Sequence, residues 1–94
     1  MNNLKCQSVD DFFDAVLTLK TREECYKFFS DVCTVKEVKA IAQRFTVAKM
    51  LKGKKVYTEI VSKTGASTAT ISRVNRSLED SNNGYNIVFE RLEK

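Results

Sequence analysis

A polar and basic face runs along the segment from Thr68 to Arg76, where the side chains best suited to binding chemistry are concentrated. The side chains on this face can hydrogen-bond, and none is acidic: Thr68, Thr70, Ser72, Arg73, Asn75 and Arg76. The opposite face carries Ile71, Val74 and Leu78 at i, i+3 and i+7, the spacing of an apolar helix stripe. The pattern predicts a helix with one face in a core and the other free to meet base edges or phosphates.

The residues before this helix complete a helix-turn-helix pattern. A first short helix has its apolar face at i, i+3, i+4 and i+7, formed by Tyr57, Ile60, Val61 and Thr64. Gly65 is expected to end it, because glycine enters the left-handed conformation without a Cβ penalty. Ser67 is a suitable N-cap for the second helix. This arrangement is typical of DNA-reading proteins, although a plain helical hairpin has the same turn residues and remains the alternative.

Positive charge is confined to the same region. The chain has 94 residues and a net charge of +4, but residues 41–76 hold eight basic residues against Glu59 alone, a net charge of +7. The preceding 40 residues carry −1 and the last 18 carry −2. A polyanionic partner explains this segregation, since phosphate neutralisation supplies most non-specific DNA affinity. A solvated lysine face is the alternative, but such a face normally mixes acids among the bases.

Enzymatic and metal chemistry find few suitable residues. The chain has no histidine, no phosphate-cradling glycine loop and no nucleophile elbow, so we expect neither an enzyme nor a cofactor. Three widely spaced cysteines suit neither a disulfide framework nor zinc, and Cys25 and Cys33 are predicted to be small buried apolar groups. Without a signal peptide or a membrane-spanning run, a cytoplasmic location is expected.

The apolar periodicity predicts six helices and no strands. The first spans Ser8 to Leu19, and possible capping boxes at Ser8–Asp11, Thr21–Glu24 and Thr34–Glu37 mark the early helix starts. The third helix, about Val35 to Lys52, is apolar around much of its circumference and is predicted to be a central strut that Gly53 ends. A turn from Asp80 to Gly84 is predicted to precede the last helix.

The first two helices carry wide phenylalanine-rich faces. Two short helices with such faces exceed the burial that a small core offers, so exchange with a second subunit would accommodate them. That they simply cover their own core is an equally good interpretation. We divide the single predicted domain into dimerisation helices at 1–52, a helix-turn-helix head at 54–79 and a last helix at 85–93.

The segment from Thr34 to Leu92 resembles the Trp repressor family, in its YerC/YecD-like branch. The resemblance is carried by TGASTATISRVNRSL at Thr64–Leu78 and AKMLKGKKVYTEI at Ala48–Ile60. It implies an all-α, six-helix, intertwined homodimer that binds a palindromic operator through two helix-turn-helix heads. The family's archetype also binds tryptophan beside the recognition helix.

The resemblance also implies where an effector pocket would lie. The corresponding positions in this sequence are Gln43, Arg44, Thr70, Arg73, Val74 and Ser77. Two of them depart from the family's pattern, because Gln43 stands at the place of a pocket arginine and Val74 at that of a glycine. Regulation by tryptophan is therefore not expected, and the identity of any effector stays open.

Two functions follow from these patterns. The first is a sequence-specific DNA-binding dimer that regulates transcription, with double-stranded DNA as its partner. The predicted DNA-binding residues are Lys54, Lys55, Tyr57, Thr58, Lys63, Ser67, Thr68, Ala69, Thr70, Ser72, Arg73 and Arg76. Within this set, Thr68, Ala69 and Thr70 are expected to lie against base edges. The second function is a helical protein-interaction module that docks a partner on the phenylalanine-rich faces.

Overall fold

A computed structural model describes residues 2–80 and 83–94, which form six α-helices and no β-strand. The helices are α1 (Gln7–Val16), α2 (Arg22–Val32), α3 (Val35–Lys52), α4 (Tyr57–Thr64), α5 (Thr68–Glu79) and α6 (Gly84–Leu92), preceded by a 3-10 turn at Asn2–Leu4. The predicted all-α, six-helix architecture is confirmed. None of the described helices is long and apolar enough to cross a bilayer. The predicted turn from Asp80 to Gly84 includes Ser81 and Asn82, which lie outside the described residues.

The chain divides into two compact units, Met1–Val38 and Lys39–Lys94. The first unit holds α1, α2 and the first turn of α3, and the second holds the rest of α3 with α4, α5 and α6. The predicted helix-turn-helix, α4 and α5, therefore lies wholly within the second unit.

The second unit contains a continuous buried core. Val47, Ile60 and Ile71 are fully buried, and they bring together side chains from α3, α4 and α5. Phe89 of α6 completes this core and lies 5.4 Å from Phe45, centroid to centroid. Full burial of such side chains contributes about 1.5–3 kcal/mol each, so this cluster is the main source of stability for the unit.

The first unit is held by an aromatic cluster, and its other described side chains are half-buried or exposed. Phe12 stacks on Phe28 with ring centroids 5.8 Å apart, and Phe29 meets both rings edge-on. No residue of α1 or α2 is fully buried. The predicted burial of Cys25 and Cys33 is wrong for the single chain, because Cys25 is exposed and Cys33 is only half-buried. The apolar stripe is present, but this chain alone does not cover it.

Of the three predicted capping boxes, one forms fully and one forms in part. Thr34 and Glu37 exchange reciprocal hydrogen bonds of 3.1 and 2.8 Å, and the donors from Thr34 lower the pKa of the Glu37 carboxyl group. At α2 the Thr21 hydroxyl accepts from the Glu24 N–H at 3.1 Å, but the Glu24 carboxylate accepts from the Lys20 N–H at 2.8 Å rather than from that of Thr21. The box predicted at Ser8 and Asp11 is wrong. Helix α1 begins at Gln7 with Cys6 as its N-cap, and its side chains give it no capping bond.

Helix α1 is also shorter than predicted. It ends at Val16 rather than Leu19, and the Thr18 hydroxyl donates to the Ala15 carbonyl group at 2.7 Å. A threonine that bonds the backbone in this way competes with the helix ladder, and this accounts for the early end. The apolar periodicity continues past Val16, but the helix does not follow it.

Helix α3 has the predicted bounds but not the predicted surroundings. Only Val47 and Ala48, in its second half, are fully buried, while Val35 and Ile41 are 70% and 54% exposed. The prediction of a strut with neighbours on several sides is therefore wrong for the single chain.

The end of α3 also differs from the prediction. Gly53 stays within the last right-handed turn, and Lys54 adopts the left-handed conformation with φ +63°. The N–H groups of Lys54 and Lys55 then donate back to Leu51 and Met50 at 2.9 and 3.0 Å, which is the Schellman arrangement. The left-handed residue thus lies one position after the glycine, and these bonds hold the backbone of the two lysines that precede α4.

The two glycines that flank α4 provide a matched pair for a stability test. Gly65 has φ +73°, so Gly65→Ala is expected to lower the free energy of unfolding by about 1 kcal/mol. Gly53→Ala is expected to leave it unchanged or raise it by up to about 1 kcal/mol, because the added Cβ would meet only ordinary 3.5 Å contacts. Urea unfolding of both variants measures the difference, and equal effects would contradict the assignment.

Adjacent residues of α5 provide a second test, of the core. Val74 is 3% exposed, so Val74→Ala is expected to cost about 1–3 kcal/mol of unfolding free energy. Arg73 is exposed and its guanidinium makes no hydrogen bond to the described residues, so Arg73→Ala is expected to change stability by no more than about 0.5 kcal/mol. A Val74→Ala variant as stable as Arg73→Ala in the same urea titration would place Val74 outside the core.

Candidate nucleic-acid interface

The turn between α4 and α5 is built as the sequence predicts. Gly65 is the left-handed residue that ends α4, and its N–H donates to the Val61 carbonyl group at 2.9 Å. Ser67 is the N-cap of α5, with its hydroxyl accepting from the Thr70 N–H at 3.1 Å. Ala66 between them is 3% exposed and belongs to the core. The turn is thereby anchored at its middle as well as at both helix ends.

A second network at this turn centres on Thr64. Its hydroxyl donates to the Ile60 carbonyl group at 2.7 Å and accepts from the Ala66 N–H at 3.1 Å. Its carbonyl oxygen, one of those left without an intrahelical partner at the end of α4, accepts from Gln43 Nε2 at 3.0 Å. Gln43 lies on α3, so this bond links the turn to the helix beneath it.

Helix α5 presents the predicted polar face outward. Ile71 and Val74 point into the core and Leu78 is half-buried. The outward residues are all exposed, and they are Thr68, Ala69, Ser72, Arg73 and Arg76. Thr70 is half-buried at the edge of this face, and its hydroxyl oxygen accepts a bond from Ser67 at 3.1 Å. At the N-terminal end of α5, Thr68 and Ala69 are thus the exposed side chains, and Thr70 is less accessible.

Within the part of the chain that the structure describes, the cations around this face form no ion pairs. Both ion pairs found in the described residues, Lys5–Asp10 and Lys27–Glu23, belong to the first unit. In the second unit the exposed basic residues near α4 and α5 are Lys54, Lys55, Lys63, Arg73 and Arg76. Their charge is available to an external anion. Lys52 is different, because it donates to Asn86 at 2.9 Å and lies over the Phe89 ring.

The start of α4 adds further donors. Val56 precedes it without a side-chain cap, so the first N–H groups of α4 have no side-chain partner. Tyr57 is 37% exposed and Thr58 is exposed at this end. Lys54 and Lys55 directly precede it in the chain. The N–H groups of an uncapped helix start beside two lysines can donate hydrogen bonds to a phosphate oxygen.

Some of the residues predicted to line an effector pocket form hydrogen bonds within the protein, and the others differ in burial. Gln43 bonds to the α4 terminus, and the Ser77 hydroxyl donates back to the Arg73 carbonyl group at 3.2 Å. Val74 lies within the core, whereas Arg44 and Arg73 are exposed. A groove of about 380 Å³ lies between α3 and α6 and contains none of these residues. Its lining is Lys49, Lys52, Gly53, Phe89, Leu92 and Glu93.

The sequence patterns missed the roles of Gln43 and Lys54. A weak sign of the first is that Gln43 lies one helical turn before the buried Val47, so that a polar side chain interrupts an apolar face. No local pattern marks Lys54 as the left-handed residue, because a glycine stands directly before it.

Comparison with known proteins places this fold and sequence among DNA-binding regulators. The family described as Trp repressor protein matches residues 7–93. The YerC protein of Bacillus subtilis strain 168 is 44% identical over 94 residues, covering 100% of this chain and 90% of that protein.

Two crystal structures are close matches. A TrpR-like protein from Eubacterium eligens ATCC 27750 superposes with a TM-score of 0.94 at 57% identity, over 99% of this chain and 96% of that one. A candidate Trp repressor from Staphylococcus aureus gives a TM-score of 0.92 at 49% identity, over 98% and 92%. The chain therefore belongs to the Trp repressor family, a family of DNA-binding regulators rather than enzymes.

Proposed function

We propose that this protein is a transcription regulator that recognises a specific duplex DNA sequence as a homodimer, without tryptophan as corepressor. The observation that carries the proposal is the outward face of α5, where short hydrogen-bonding side chains lie among cations that form no ion pair with the residues that the structure describes. A protein surface usually offsets such charge with nearby carboxylates, and a polyanion is the ligand that this face suits.

The phosphate contacts are assigned to groups that flank the two helices. Lys54 and Lys55 lie in the ordered turn before α4, and the free N–H groups at the start of α4 adjoin Tyr57 and Thr58. The cations and hydroxyls assigned to the same role farther along are Lys63, Ser67, Ser72, Arg73 and Arg76. Contacts of this kind fix the register of a protein on duplex DNA without reading its sequence.

Base reading is assigned to the N-terminal end of α5. Recognition helices enter the major groove with their first residues against base edges. Thr68 offers a hydroxyl donor and acceptor, and the methyl group of Ala69 suits the methyl group of thymine. Thr70 contributes less directly, because its hydroxyl oxygen already accepts from Ser67.

Dimerisation is supported by the apolar surface of the first unit. In the single chain Leu17 is 80%, Tyr26 70% and Phe13 48% exposed. Phe13 lies on α1 and Tyr26 on α2, and Leu17 directly follows α1. Apolar surface of this extent is typical of an interface, and a two-fold dimer would cover equivalent faces together. Two heads related by such an axis would match a palindromic operator. Docking of a different protein on these faces, the other function considered, would leave the basic face of α5 unexplained.

Independence from tryptophan is supported by two side chains. Val74 fills the core at the position where the family's pattern has a glycine, and Gln43 bonds to Thr64 rather than facing an open site. At these two positions the chain has an uncharged amide and a branched side chain in place of the pocket arginine and the glycine of the family's pattern. Repression, as in the family's archetype, follows when the operator overlaps a promoter. The protein would act in the cytoplasm, where the chromosome is.

The division between phosphate and base contacts predicts two different mutational effects. For the wild-type protein, a plot of log K against log[salt] should have a slope of about −5 to −9. Lys55→Ala should make this slope less steep by about 2 for a dimer, and the change should be the same for all DNA sequences. Thr68→Ala should keep the slope and lose about 1 kcal/mol of preference at one position of each half-site. The control is Lys20→Ala, an exposed lysine outside the basic segment. A wild-type slope near zero would contradict DNA binding.

The interface prediction concerns Leu17, the exposed apolar residue directly after α1. Light scattering at micromolar concentration should give a mass of about twice the 10.7 kDa chain, and the thermal midpoint should rise with protein concentration. Leu17→Asp should reduce both the mass and the midpoint, whereas Leu17→Met should change neither. A stable, well-folded monomer at the same concentration would contradict the dimer.

The effector prediction is tested by titrating the DNA site in the presence and absence of millimolar L-tryptophan. Affinity should agree within about twofold, because the losses of a charged partner and of open space would together weaken tryptophan binding by about two to four orders of magnitude. A tightening of tenfold or more, about 1.4 kcal/mol, would show that the pocket exists and that Arg44 supplies the second cation.

A further inference from the structure

The helix-turn-helix is joined to α3 by a single directional side-chain contact. Among the side-chain hydrogen bonds of the described residues, only two connect different helices, Gln43 to Thr64 and Lys52 to Asn86. The second joins α3 to α6. The bond from Gln43 Nε2 to the Thr64 carbonyl oxygen, at 3.0 Å, is therefore the only one of these bonds that reaches α4 or α5 from another helix.

The position of this bond allows it to affect the N-terminal end of α5, which is the end proposed to contact bases. Its acceptor belongs to the last residue of α4, and the hydroxyl of that residue, Thr64, holds the Ala66 N–H within the turn. Ser67, which caps α5, follows directly. A shift of the Thr64 carbonyl group would therefore displace the cap of α5 and the residues that follow it.

The apolar contacts cannot supply this constraint alone. Burial of Ile60, Ile71 and Val74 is non-directional, so it holds α4 and α5 against α3 while leaving small rotations and sliding inexpensive. A hydrogen bond has a preferred length and angle, and the partly buried Gln43–Thr64 bond is shielded from competing water. The bond therefore selects one position of α4 and α5 on α3 among those that apolar packing allows.

We infer that Gln43 is a positioning residue, which fixes the helix-turn-helix on α3 in the orientation that reads DNA. The inference rests on the proposed function. In this role an internal amide holds the end of α4 through the protein's own side chain. Gln43 itself touches no DNA.

The test uses the ratio of affinities for two duplexes, one carrying the site that the wild-type protein selects and one with the same bases scrambled. Gln43→Met removes the N–H donors and keeps the length and charge. It should lower the ratio about threefold to tenfold, the range of one net hydrogen bond, with scrambled-duplex affinity and salt slope unchanged. Gln43→Arg, which returns donors to this position, should restore the ratio.

Two further measurements distinguish positioning from a general loss of structure. Asn86→Leu breaks the other interhelical side-chain bond and should leave the ratio unchanged. Hydrogen exchange of the Ala66 amide should accelerate in Gln43→Met, while exchange in α6 should not.

The outcomes separate the two proposals. A wild-type protein that binds both duplexes equally would overturn the proposed function, and the role of Gln43 with it. Specific wild-type binding together with an unchanged ratio in Gln43→Met would overturn the inference alone. A Gln43→Met variant that no longer folds would also overturn it, because such a loss is the property of a core residue and not of a positioning bond.

Discussion

Burial of apolar side chains where the second half of α3 meets α4, α5 and α6 is the interaction on which the second unit depends. Val47, Ile60 and Ile71 have no exposed surface, and each comes from a different helix. Because Ile71 and Val74 occupy the inner face of α5, the hydroxyl and basic residues between them must face outward. The same contacts that stabilise the unit therefore create the surface proposed to meet DNA.

A short set of directional bonds adds orientation to this packing. Gly65 supplies the left-handed turn, Ser67 caps α5, and Thr64 receives the amide of Gln43. Apolar burial provides most of the free energy, while these bonds select one arrangement among several of similar burial. The first unit lacks such a buried core in the single chain, and its phenylalanine cluster remains partly open.

Much of the second unit could be predicted from sequence because its determinants are local. The stripe of α5, the cap at Ser67 and the turn at Gly65 each depend on residues within a few positions of one another. The Gln43–Thr64 bond joins residues 21 apart, and no local pattern encodes it. The left-handed Lys54 was missed because the adjacent glycine is the usual residue for that conformation. Periodicity also identified the apolar faces of α1 and α2, but it cannot say what covers them.

Selection of bound sequences from a random DNA pool, by purified protein with no added small molecule, tests the central claim most directly. The claim is that the outward face of α5, held in place by the protein's own contacts, reads a DNA sequence as one half of a symmetric pair. The predicted result is enrichment of a palindromic motif whose half-sites lie about one helical turn apart, ~34–36 Å. Retention of DNA without any enriched motif would contradict it.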